Sequence, residues 1–113
     1  MNENIQQINE EIETLEKAIA ISKAMQRLSE SDDFKLVFKD NFIKAYRDTA
    51  VVNIGLVRAD AQEGIKVGLI GRAHFEAYCE DLVEPLPQLE DGLKELKEAL
   101  EEEEKLEASQ DEE

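Results

Sequence analysis

Two narrow stripes of aliphatic residues, one near each end of the chain, leave few options for its fold. Ile5, Ile8, Ile12, Leu15 and Ile19 recur at steps of three and four, and so do Leu86, Leu89, Leu93, Leu96 and Leu100. That period is helical, and a seam two positions wide in seven is covered by one facing helix rather than by a broad core. The first helix is expected from an Asn2 or Asn4 cap to about Ser29, with Glu10, Glu11 and Glu13 early and Lys17, Lys23 and Arg27 late, an order that suits the helix dipole. Beyond Ile19 the stripe is expected to shift to Ile21, Met25 and Leu28. Either the two seams face each other within the chain, or the Leu86–Leu100 helix self-associates; the pattern leaves both open.

The residues between the seams supply the aromatic mass. Ser31–Tyr46 holds three of the four phenylalanines and one of the two tyrosines. Phe34, Val37, Phe38, Phe42, Ala45 and Tyr46 share one helical face while Lys35, Lys39, Lys44 and Arg47 point elsewhere. Phe34, Val37, Phe38, Phe42, Tyr46 and Phe75 are therefore the expected core, each ring withdrawing roughly 150–250 Å² from water. Ser31 or Asp32 is placed to cap this helix, and Asp40-Asn41 is expected to interrupt it, leaving a short helix over 34–39 and another over 41–53.

Residues 51–57 and 65–71 are β-branched, Gly-containing runs that read as a hairpin in isolation. No third strand is available to support one, so the preferred reading is a loop around 58–63 and a helix from about Ile65 to Glu84. On that helix Gly64, Gly68, Gly71, Phe75 and Leu82 share a side. Each glycine costs on the order of 1 kcal/mol against alanine, which calls for a close neighbour, the aromatic helix being the natural one. Pro85 and Pro87 end this helix and open the next. The chain is thus expected to be all-α, a small helical bundle or helical hairpin with long amphipathic N- and C-terminal helices. Residues 1–100 form its single domain, and 101–113 a frayed or disordered acidic tail.

Charge narrows the function. The net charge is −15 on 113 residues. Residues 80–113 carry fifteen acids and three bases, residues 1–16 five acids and no base, and the stretch between is slightly basic. Such a surface argues against direct contact with nucleic acid or anionic membrane, both of which need a cationic face. No apolar run approaches the roughly 20 residues of a membrane span. The amino terminus has no leader-like segment, and the lone Cys79 forms no intrachain disulfide, so a soluble cytoplasmic protein is expected. His74, the only histidine, finds no metal-ligand set in Glu76 and Glu80. Cys79, one turn from Phe75, reads as a small buried hydrophobe. Catalysis, cofactor and metal are not expected.

The segments AMQRLSESDDFKLVFKDNFIKAYRDTAV at 24–51 and LIGRAHFEAYCEDLV at 69–83, between a heptad helix and a Glu-rich end, resemble a family of small acidic proteins of tailed bacteriophages. The most specific part is RL-x4-DFK-x-VF at 27–38, followed by Phe42 and Lys44; the chain departs from the pattern between 47 and 64. The resemblance implies a non-enzymatic accessory of head assembly or packaging. It would be a homo-oligomer that binds other phage structural proteins, in the host cytoplasm or with the virion. It brings no catalytic residues. The acidic end supports an alternative, a DNA-mimicking decoy that occupies a basic host protein of nucleic-acid binding or defence.

Overall fold

The computed structural model describes residues 3–111, so the Asn2 cap and residues 112–113 lie outside the described part. Helices α1 (Glu3–Glu30), α2 (Asp32–Phe34), α3 (Tyr46–Asn53), α4 (Ala59–Val83) and α5 (Leu86–Asp111) account for most of it, and Lys35–Ala45 is a π-helix that joins α2 to α3. No strand occurs among the described residues. The chain divides into two compact units, one of residues 1–24 with 84–113 and one of residues 25–83.

In the first unit the two seams serve each other. Ile12 and Ile19 are buried, and Ile5, Ile8, Leu15, Leu86, Leu89, Leu93, Leu96 and Leu100 are half-buried. A β-carbon on Gly92 would stand 3.6 Å from Leu15 Cδ1. Lys23 Nζ lies 3.6 Å from Glu90 Oε1, both half-exposed, an ion pair of the surface kind that fixes register more than it stabilises. The stripe does not shift after Ile19 as the spacing suggested. Ile21 and Leu28 are 55% and 50% exposed, while Ser22 is buried and continues the original seam; Met25, the first residue of the second unit, is buried as expected. A serine is easily passed over in an apolar pattern, yet Ser22 is the most buried of the described residues, and its hydroxyl has no hydrogen-bond partner. Helix α5 runs through Asp111, so the acidic end is helical to that point; Glu, Lys, Leu and Ala are good helix formers.

In the second unit, Ser31 Oγ accepts the Phe34 amide at 3.0 Å and caps the start of α2. No break follows at Asp40-Asn41; the chain stays helical but widens to i→i+5 winding over eleven residues. This changes which residues face inward. Phe34 and Ile43, nine apart, are both buried, whereas Val37 is 49% exposed, a correction to the expected core. Ala45 is exposed as well. An α-helical wheel fails here because the π-helix spends roughly one more residue on each turn.

Helix α4 pairs antiparallel with this segment: Phe38 meets Phe75, Phe42 meets Arg72, and Tyr46 meets Gly68, numbers falling on one side as they rise on the other. The loop between them is only 54–58, shorter and earlier than the 58–63 expected, and α4 begins at Ala59 rather than Ile65. Gln62 ties this corner, its amide donating to Arg58 O at 2.9 Å and its side chain to Val57 O at 3.2 Å. One glycine has the reason foreseen for all three: a β-carbon at Gly68 would collide with the Tyr46 hydroxyl, while Gly64 and Gly71 face open space.

Candidate functional site

The second unit holds the chain's aromatic cluster. Ring centroids are 4.9 Å apart for Phe34 and Phe38, 5.3 Å for Phe38 and Phe75, and 5.7 Å for Phe42 and Phe75, the last pair edge to face. These separations suit aromatic pairs. Phe34 is buried, Phe42, Tyr46 and Phe75 are half-buried, and Phe38 keeps 36% exposure despite its three ring neighbours.

Arg72, which the sequence reading passed over, locks this cluster. Its guanidinium carbon lies 3.5 Å from the Tyr46 ring centre and 4.4 Å from that of Phe42. Nε donates to Phe42 O at 2.7 Å and Nη1 to Gly68 O at 3.1 Å. Phe42 sits near the switch from π to α winding, where the Tyr46 amide donates to Ile43 O. Hydrogen-bond spans change there, and a carbonyl near such a switch is open to an outside donor. A legible signal existed: Arg72 follows Gly68 by four and precedes Phe75 by three, which puts it on the glycine and aromatic face.

Beside the cluster, α4 and the π-helix border a trough of about 580 Å³. Phe34, Ile43, Phe75, Cys79 and Val83 give it apolar walls; Lys39, Lys44 and Arg47 after α2, Glu76 and Glu80 on α4, and Glu30 at the end of α1 give it charge. Arg47 and Glu76 pair at 3.6 Å. Burial pushes the Cys79 thiol above its ordinary value, Lys39 opposes that, and Glu76 and Glu80 add to it. The thiol is free and half-buried. His74 is exposed, as is Glu80. Among the described residues no group of three or more His, Cys, Asp or Glu side chains is placed to hold a metal ion.

The outward side of α4 carries no charged side chain over three turns, and a shorter uncharged run with exposed Val51, Val52 and Leu56 precedes it in the chain. From Val67 to Tyr78 its exposed positions are Val67, Ile70, Gly71, Ala73, His74, Ala77 and Tyr78, none of them a carboxylate, lysine or arginine. Val67, Ile70 and Tyr78 are 60%, 57% and 61% exposed. In a chain with 36% charged residues, an uncharged stripe three turns long is a feature of the kind that marks protein contacts. Among the described residues no helix is long and apolar enough to cross a membrane. Comparison with protein-family models, curated proteins and solved structures found no match.

Proposed function

We propose that the chain is a non-enzymatic, self-associating interaction module that accompanies virion assembly or packaging. The observation that carries this reading is the uncharged outer face of α4. Two copies that each carry −15 repel over most of their surface. The stripe from Val67 to Tyr78 is a regular helical face on which they can meet without placing carboxylate against carboxylate, and Gly71, Ala73 and Ala77 allow the helices a close approach. The Ile and Leu seams face each other within the first unit, so this reading puts the contact on α4 instead. The resemblance of residues 24–51 and 69–83 to bacteriophage proteins directs the reading to the virion.

The test is affinity capture from phage-producing host cells at low and high salt, with the parent chain and with Val67→Glu plus Ile70→Glu. Virion proteins are expected with the parent chain at both salt concentrations, and an at least tenfold lower yield with the variant. Both sites are exposed, so helicity is expected to stay unchanged by circular dichroism. Retention of the same proteins by the variant would contradict the reading.

A second reading rests on a separate observation: α5 presents Asp91, Glu95, Glu98, Glu101, Glu102 and Glu104 to solvent. An outward surface in which carboxylates outnumber Lys94, Lys97 and Lys105 suits a decoy for a basic nucleic-acid-binding protein. Capture of such a protein at low salt, lost at high salt and competed by duplex DNA, would favour that reading over the first.

A further inference from the structure

The π-helix does something specific to the trough. Phe34, Lys39 and Lys44 are spaced five apart, and all three line it. In an α-helix, residues five apart point roughly 140° from each other, so this row would scatter around the helix. The wider winding that follows Phe34 brings them closer to one side. It thus turns two ammonium groups toward the side of a buried ring, across from Phe75, Cys79 and Val83 of α4.

Its size, about 580 Å³, falls within the roughly 300–1,000 Å³ of small-molecule sites, and an apolar lining with a few placed polar groups is their usual make-up. The charges select among ligands. Arg47 is occupied by Glu76, which leaves Lys39 and Lys44 as the cationic pair and Glu30 and Glu80 as the remaining carboxylates of the lining. One negative head group is accommodated by the lysines, whereas a multiply charged phosphate would also meet the carboxylates. Cys79 lines the same trough as Lys39 and Lys44, so a ligand seated there covers the sulfur.

We infer that this trough binds a singly charged anionic amphiphile, an aliphatic carboxylate of the fatty-acid type. Its tail lies on Phe34, Ile43, Phe75 and Val83, and its carboxylate is held by Lys39 and Lys44. The inference is independent of the α4 outer face.

Cys79 supplies the reporter. The full chain is alkylated with the neutral reagent N-ethylmaleimide at pH 7.5, alone, with dodecanoate, and with dodecyltrimethylammonium, each below its micellar concentration. Dodecanoate is expected to slow alkylation at least tenfold, and the cationic amphiphile to leave the rate within twofold of the ligand-free value. Lys39→Glu with Lys44→Glu is expected to abolish the dodecanoate effect with circular dichroism unchanged. An unchanged rate with dodecanoate, equal protection by the cation, or protection that survives in a folded double variant would each overturn the inference. The comparison of the two amphiphiles on the parent chain decides by itself should the double variant fail to fold.

Discussion

Replacing Arg72 by alanine is expected to destabilise the second unit by about 3 kcal/mol, read as a shift in its urea or thermal transition. The side chain stacks on Tyr46 and Phe42 and donates to Phe42 O and Gly68 O. Partly desolvated cation–π contacts are worth about 1 kcal/mol each, and a hydrogen bond from a charged donor about 1.5–3 kcal/mol, so even strong non-additivity leaves a large loss. The alanine variant also strands the Phe42 carbonyl beside the π-to-α switch. Arg72→Lys is expected to recover less than half of the loss, because an ammonium cannot lie flat between two rings and reach two carbonyls at once. A lysine variant as stable as the parent would show that charge alone, and not the planar fork, matters here.

The second large effect is expected in the first unit. Leu93→Ser with Leu96→Ser removes two adjacent members of the α5 seam, both half-buried. Each change forfeits much of a leucine's burial, about 2 kcal/mol, and lowers helix propensity slightly. Together they are expected to cost about 3–4 kcal/mol, below a simple sum because the sites are neighbours. The readout is a loss of helical signal with faster proteolysis within 86–111. If the pair instead left helicity intact and only dissolved an oligomer, the seams would be intermolecular and the intrachain pairing wrong.

Much of the architecture was legible because it rests on long, regular periods. The seams at 5–19 and 86–100, the cap at Ser31 and the break at Pro85 each follow from local chemistry that nothing tertiary overrides. Two places were not legible. The interior of 35–45 departs from the expected pattern because every wheel assumes 3.6 residues per turn, and that is why Val37 was expected inside. The start of α4 is earlier than expected because residues 58–63 read as the connection between two β-branched, Gly-containing runs. A helical Gly64 costs only about 1 kcal/mol, which the helix-forming ADAQE run before it outweighs. Ser22 and Arg72 were missed for a shared reason, since polarity hides a residue from any apolar pattern even where packing has enclosed it.

The uncharged stripe on α4 could have been found by asking which exposed helical positions lack charge, but exposure at 67–78 was unknown until the inward side was fixed by Gly68, Arg72 and Phe75. The central claim, that this stripe is where copies of the chain meet, is tested most directly by site-specific photocrosslinking of the purified protein. A benzophenone side chain is placed at Tyr78 on the α4 stripe, and separately at Glu98 on the exposed side of α5. The account predicts a crosslinked species at twice the 12.8 kDa chain mass from position 78 and none from position 98. Crosslinking from position 98 alone, or from neither, would contradict it.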